Sequence, residues 1–446
     1  VTDKIFFMHL PKCGGTTLHQ LIDDEVHYRQ VYLPVAKDPQ PKSVTREWKG
    51  RGEDVKAKLG DWLSRYDRMH THTNFLGVLD SRWKSFTFLR EPVDRLVSLY
   101  NHWRTFTDYE LETAARRAPR SQRKQNLKLA SRNMTMREFL QQREDDATGA
   151  VGYLFNNGMA NLLAADRPGK GRKWVRGLSP DDLEGEAMGV LERLDVVGVL
   201  EQMDESLALI FDRMDLRPRR QIARKNAREY DRAAVIAGAE DLIESMTCVD
   251  ARLYVWARER LAGEFSRLAA SGNGSMEAVY AGLDARYLAR RHEEAARLKA
   301  AGQLPERLAI GMYDGIRGDG WHEREGVKLH LPYRWTGPGA DTSLDVMVRP
   351  ARRYRVRFEY LQSMHPDVLS GATLSVNGET VPVRVRRRWW GAPGVEAVVA
   401  GDAQADGLLR VTLHLGRTVS ERDLGKAQGA SRPQGLLVTG VKIDPA

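Results

Sequence analysis

The chain has 446 residues, 42% of them hydrophobic and 29% charged, with a formal net charge of +9 at pH 7. That balance suits a globular protein of two domains, and no apolar run reaches the ~18 residues that a membrane span needs. Two cysteines, Cys13 and Cys248, are too few for a disulfide framework or a cysteine zinc site.

The low cysteine count predicts a reducing, cytoplasmic setting. The positive charge suits anionic ligands without choosing among nucleotides, acidic glycans, nucleic acid and lipid head groups, so peripheral contact with a membrane surface stays open. The N-terminus lacks a charged-then-apolar signal layout. The chain begins at Val1 rather than Met, and the reading leaves room for a trimmed upstream segment.

In chain order, "KIFFMHL" reads as a short buried strand, and "TTLHQLIDDEV" after it has Leu18, Leu21 and Ile22 at helical spacing. Residues 35 to 60 and 110 to 140 are polar and highly charged, mostly solvated loops and helices. "SFTFLR" is a second buried strand. "PVDRLVSLYNHW" follows as a helix, with Pro92 in its first turn and Val93, Leu96, Val97 and Tyr100 on one face. Further helices are predicted at "DESLALIFDRM" and "CVDARLYVWARERL". Strand, turn and helix in repetition predict an α/β domain with a largely parallel central sheet.

"AASGNGSM" breaks the composition near residue 270. The expected division is residues 1–268, a helical linker at 269–305, and a C-terminal domain at 306–446. In that last part "SLDVMV", "YRVRFEYL", "ATLSVNG", "VPVRVRRRWW", "LLRVTLHL" and "LLVTGVKI" alternate between Gly, Asp and Pro breaks. This pattern predicts an antiparallel β-sandwich of jelly-roll type. Strict alternation puts Arg353, Arg355 and Arg357 on one strand face, and Arg384, Arg386 and Arg388 on another, with Trp389 and Trp390 at the end. The readings are a solvated sheet face or a basic surface for an acidic glycan.

The junction "LPKCGGTTL" has the makings of an anion site. Gly14 and Gly15 allow close approach of the backbone, the helix start aims N–H groups at an anion, Lys12 adds a charge, and Thr16 and Thr17 add hydroxyls. The lysine precedes the glycines, which is not the Walker A order and disfavours nucleoside triphosphate hydrolysis. In "FLREPVDRLVSLY", Arg90 ends a strand and Ser98 follows eight residues later. A guanidinium there can fork onto a phosphate.

"LPKCGGTTL" resembles the 5′-phosphosulfate loop of sulfotransferases that use 3′-phosphoadenosine-5′-phosphosulfate (PAPS), and "FLREPVDRLVSLY" resembles their 3′-phosphate motif. The likeness is nearest to the carbohydrate O-sulfotransferase branch and spans about residues 4 to 265. It implies a P-loop-like three-layer domain. It also implies PAPS as sulfuryl donor and 3′,5′-ADP as product, without a metal, held by Pro11, Lys12, Cys13, Gly14, Gly15, Thr16, Thr17, Arg90 and Ser98. Lys12 would stabilise the leaving phosphate, aided by N–H groups at Gly14, Gly15 and Thr16. "MHTHTNFLG" resembles a His-x-His segment of the uronyl 2-O-sulfotransferase group. This makes His72 the first choice of catalytic base and His70 the second, with a carboxylate between residues 20 and 60 as rival. His9 reads as structural.

Weaker features are "FNNG" (Asn156, Asn157), a simple turn or a cleft wall, and the basic loop Arg224 to Asn226. Cys13, inside the phosphate loop, would be open to alkylation if its thiol pKa were lowered. The expected function is O-sulfation of a carbohydrate, such as an anionic cell-surface polysaccharide, lipopolysaccharide or glycolipid. The alternatives are a glycan-binding protein with an inactive nucleotide domain and a phosphoryl-transfer enzyme, which would need magnesium ligands and a Walker lysine not found here. No nucleic-acid-binding motif is found, and the oligomeric state is not legible.

Overall fold

The computed structural model describes residues 4–32, 60, 62–72, 76–77, 79–109, 132–144, 152–165, 172–219, 230–270, 274–326, 331–386, 393–400, 406–425 and 432–446. Chain contacts define two compact units, each assembled from separate stretches. The first comprises Val1–Thr16, Tyr32–Met214 and Asn226–Val279, and the second Thr17–Val31, Asp215–Lys225 and Tyr280–Ala446.

Strands β1 (Lys4–Met8), β2 (Val31–Tyr32), β3 (Arg68–Thr71), β4 (Trp83–Leu89) and β5 (Val196–Val199) form one sheet in the order β2-β3-β1-β4-β5. β1 runs parallel to both β3 and β4, and β4 runs parallel to β5. Parallel strands covered on both faces need continuous apolar sequence, and every residue of β1 is buried. Even Lys4 is drawn in, because its ammonium donates to the Ser64 carbonyl at 2.9 Å and pairs with Asp67 at 3.3 Å.

Helix α1 (Gly15–Asp23) follows β1, and α2 (Pro92–Arg104) follows β4. Proline opens α2, where a missing N–H costs nothing, and the Glu91 side chain caps it by accepting from the Asp94 N–H at 2.7 Å. The face of α2 that carries Leu96, Val97 and Tyr100 packs with Phe139, Phe155 and Met246 in one core cluster. Each such burial contributes about 1.5–3 kcal/mol.

Helices α3 (Gly158–Ala164), α4 (Met203–Arg213) and α5 (Glu240–Ala269) complete what the site needs. "FNNG" belongs to this scaffold. Asn157 sits at φ 43°, and its Oδ1 accepts from the Val249 N–H at 2.8 Å. Asp250 of α5 in turn accepts from the N–H groups of Met159 and Ala160, at 3.1 and 2.8 Å. The turn therefore fastens α3 to α5. Helix α6 (Met276–Ala300) occupies the stretch predicted as a helical linker.

The second unit carries ten strands among the described residues: β6 (Leu308–Gly311), β7 (Arg334–Trp335), β8 (Asp341–Met347), β9 (Arg353–Ser363), β10 (Thr373–Val376), β11 (Glu379–Pro382), β12 (Arg384–Arg386), β13 (Gly394–Ala400), β14 (Leu408–His414) and β15 (Leu436–Pro445). One antiparallel sheet has the order β11-β10-β14-β8, and the other β12-β13-β9-β15-β6 with β7 beside β15. Leu344, Leu374 and Val411 of the former share a core with Val356, Phe358, Val395 and Val441 of the latter. β13 is a strand that the sequence pattern does not single out. Its Val395, Ala397 and Val399 alternate with Glu396 and Ala400, and alanine is a weak strand signal.

Charge is also buried in this unit. Asp24 accepts from Arg219 at 2.9 Å and pairs with Arg334, which is fully buried. Glu25 accepts from the Arg217 N–H at 2.9 Å. Arg410 reaches both Asp345 and Asp284 at 2.8 Å.

Candidate active site

β1 ends where its sequence turns polar, and His9 to Gly14 make the turn into α1. Two residues of this turn take left-handed backbone, Lys12 at φ 71° and Gly14 at φ 82°. Glycine enters that region freely, whereas a lysine does so at a cost of about 1–2 kcal/mol. Left-handed residues within a tight turn gather N–H groups into a concave array that suits an anion. Backbone strain of this kind clusters where ligands are handled.

Gly15 opens α1, and a Cβ placed there would lie 1.9 Å from Nε2 of His9. The absent side chain is what lets the His9 ring lie against the helix start. Pro11 is half-buried, Thr16 is exposed and Thr17 is buried. Cys13 is wholly buried, with Sγ 3.8 Å from the Pro11 carbonyl and 3.9 Å from Sδ of Met159. Burial pushes its thiol up to about 12. The loop therefore does not lower that thiol, and alkylation sensitivity does not follow from its position.

Arg90 stands between β4 and α2, and the sheet brings it to the loop. Its Nη1 donates to the Lys12 carbonyl at 3.2 Å, and its Nη2 donates to the Tyr230 hydroxyl at 3.1 Å. The cation that ends β4 thus touches the turn that ends β1. Tyr230 is absent from the sequence-based reading, because no local pattern marks a tyrosine 140 residues from its partner. Ser98 lies half-buried further along α2.

The parallel register of β3 on β1 places His70 opposite Phe7. His70 is buried within the strand, while His72 lies just past the strand end and is exposed. The His72 ring sits 4.6 Å from the His9 ring, centroid to centroid. Its Nδ1 is 2.6 Å from the His9 carbonyl oxygen. A carbonyl oxygen only accepts, so Nδ1 carries the proton and, in the neutral ring, Nε2 carries the lone pair. His9 itself also stacks on Phe7, with centroids 5.4 Å apart. Burial above all, then the charges of His72, His70 and Lys12, lower its pKa to about 3. His9 is therefore a neutral member of this cluster, where the sequence suggested only a strand residue.

The rival carboxylates divide. Asp24 pairs with the buried Arg219 and Arg334, and Glu25 accepts from the Arg217 N–H. Asp23 is half-buried at the end of α1, and residues 33–59 lie outside the described ones, as do Arg224 to Asn226, Arg388, Trp389 and Trp390. Among the described residues, no group of three or more His, Cys, Asp or Glu is placed to hold a metal ion. No described helix is long and apolar enough to cross a membrane.

Chemically, the turn brings a lysine and an arginine to the start of α1, with a histidine whose tautomer is set by a backbone carbonyl nearby. This donor set fits phosphate and sulfate oxygens.

Several solved structures share a partial likeness with the chain. A family 35 carbohydrate binding module from Clostridium thermocellum is 14% identical, covering 31% of this chain and 98% of that one, with a TM-score of 0.21. A CBM35 from Paenibacillus barcinonensis is 11% identical over 32% of this chain and 91% of that one, with a TM-score of 0.16. A family GH115 4-O-methyl-alpha-glucuronidase is 11% identical over 33% of this chain and 17% of that one, with a TM-score of 0.19. No curated protein sequence matches the chain. Residues 1–161, which contain the lysine-glycine turn, the three histidines and the arginine that follows β4, match the model of the sulfotransferase family, and that match supports sulfuryl transfer as the class of reaction.

Proposed function

We propose that this protein is a PAPS-dependent O-sulfotransferase that moves a sulfuryl group to a hydroxyl of a carbohydrate. The observation that carries the reading is the left-handed turn at Lys12 and Gly14 with the Arg90 guanidinium on the Lys12 carbonyl. A lysine strained at this place, and an arginine drawn onto the same turn from another strand, support a site for an anionic ligand such as PAPS.

PAPS supplies an activated sulfuryl group on a phosphate leaving group. Lys12 and the N–H groups of Gly14, Gly15 and Thr16 take the phosphosulfate end, while Arg90 and Ser98 take the 3′-phosphate. His72 accepts the acceptor's hydroxyl proton at Nε2, as the oxygen–sulfur bond forms and the sulfur–oxygen bond to the phosphate breaks. The imidazolium that results keeps its Nδ1–H on the His9 carbonyl, which stabilises the new charge. Lys12 offsets the charge that develops on the departing 3′,5′-ADP.

Incubation with PAPS and a panel of soluble sugars and polysaccharides is expected to release 3′,5′-ADP and to sulfate a carbohydrate hydroxyl. Failure to bind 3′,5′-ADP would overturn the reading.

A further inference from the structure

The six-stranded sheet of the second unit carries a row of cations on its outward face. On β9, Tyr354, Val356 and Phe358 point into the core and Arg353, Arg355 and Arg357 point out. Register places Val398 opposite Arg355 and Glu396 opposite Arg357 on β13, with Arg384 of β12 opposite Glu396. On the other side Lys442 lies opposite Arg357, and Asp444 lies opposite Arg355. Arg386 joins the same face and pairs with Glu396.

Six cations therefore share one face with three anions, Glu359, Glu396 and Asp444. The anions are engaged: Glu396 by Arg357 at 2.7 Å as well as Arg386, Glu359 by Lys442 at 2.7 Å, and Asp444 by Arg307 at 4.0 Å. Arg353, Arg355 and Arg384 are exposed and make no ion pair among the described residues.

Geometry sets the kind of ligand. Alternate residues along a strand are ~7 Å apart and neighbouring strands ~4.8 Å apart, so the β9 arginines span ~14 Å and the β12 arginines lie ~10 Å to one side. One small anion can engage two of these cations, as the Glu396 carboxylate does with Arg357 and Arg386, but not the whole row. The row matches a chain that bears an anionic group at each repeat. Arginine forks suit carboxylate and sulfate oxygens. Binding of single-stranded nucleic acid calls for a stacking platform, and insertion into a bilayer calls for a row of large apolar side chains. The described part of the face offers only Leu361 and Val398.

The geometry points to this face as a binding surface for an anionic polysaccharide, carboxylated or sulfated, which holds the polymeric acceptor or its sulfated product on the enzyme. The choice of polysaccharide rests on the carbohydrate sulfation proposed above. A second attachment on the same chain raises the effective concentration of acceptor without any new catalytic contact.

The test uses the full chain and its Arg353→Glu/Arg355→Glu/Arg384→Glu variant, with Arg→Gln at the same three positions as a milder partner. All three side chains leave the core untouched, and thermal melting together with 3′,5′-ADP binding reports folding. Binding to dextran sulfate and to polygalacturonate is measured at ~0.15 M ionic strength, with neutral dextran, duplex DNA and phosphatidylserine vesicles alongside. Wild type is expected to bind both anionic polymers and not neutral dextran. The Glu variant should bind about tenfold more weakly and the Gln variant somewhat less so, with 3′,5′-ADP affinity unchanged. Equal polymer binding by wild type and variants would overturn the surface. DNA or vesicles bound as tightly as the polymers, with the same loss in the variants, would overturn its assignment to polysaccharide. Loss of 3′,5′-ADP binding in wild type would strike the catalytic reading alone, since polymer retention is read separately.

Discussion

His72 donates from Nδ1 to the main-chain carbonyl of His9 across 2.6 Å. The first residue past β1 thereby fixes the proton of a ring that lies sixty-three positions on. If Nε2 is the base, His72→Ala should leave 3′,5′-ADP affinity within about twofold and lower turnover ~100-fold or more. Titration calorimetry and steady-state rates separate the two effects. Turnover that survives His72→Ala would move the base elsewhere.

Lys12 combines charge with a left-handed backbone, and two substitutions separate those properties. Lys12→Ala and Lys12→Gly should both lose about 3 kcal/mol of transition-state stabilisation, roughly a hundredfold in rate. Only Lys12→Gly relieves the backbone strain, so its melting temperature should exceed that of Lys12→Ala. Equal melting temperatures would mean that the turn is not strained at that residue.

Arg90 presents one nitrogen to a carbonyl and another to the Tyr230 hydroxyl. A lysine cannot hold both. Arg90→Lys should therefore weaken 3′,5′-ADP binding nearly as much as Arg90→Ala, by about tenfold or more, with a smaller effect on turnover at saturation. Tyr230→Phe removes only the second partner and should cost less than either. Full affinity in Arg90→Lys would show that charge alone suffices.

His9 gives the protein a pH dependence with a definite sign. Its folded pKa lies near 3, below the ordinary 6.5, because burial disfavours the imidazolium. The unfolded chain takes up the proton first, so stability falls as pH drops from about 6.5 towards 3. Urea melts of wild type and His9→Asn across that range should show a shallower acid loss in the variant. Parallel curves would refute the assignment.

Asp24 adds a separate acid limit. Burial opposes its charge, but Arg334 and Arg219 hold its carboxyl below the usual 3.8. Its contribution is whole above 3.8 and is lost as pH falls through the lower folded value. Arg334→Ala leaves a buried carboxylate short of its main partner and should destabilise by about 3–5 kcal/mol at neutral pH. Pairing it with Asp24→Asn should recover part of that loss. A loss under about 1 kcal/mol in the single variant would mean that water solvates the site.

The parts of this architecture that local sequence announces are those with short-range physics. Continuous apolar runs mark β1 and β4, proline marks the start of α2, and strict alternation marks β9. The lysine-glycine turn is legible for the same reason, since residue type dictates backbone freedom there. What local pattern leaves out depends on register. His9 reads as a strand residue until the parallel pairing of β1 with β3 sets His72 against it. Tyr230 has no periodicity to betray it. His70 and His72 read alike as a pair two apart, yet the strand ends between them and gives them opposite environments. For Cys13 a lowered thiol pKa is one open reading of its loop, and depth in the core raises that pKa instead.

Thr17–Val31 and Asp215–Lys225 share a compact unit with Tyr280–Ala446, and Asp24 waits 310 positions for Arg334. During synthesis Asp24 can meet Arg219 midway but must wait for its second partner until Arg334 has been made. The protein is thus not a string of beads that mature one after another. A chain stopped near residue 268 would leave Asp24 without Arg334, and moving the C-terminal half to another protein would require carrying two early segments with it.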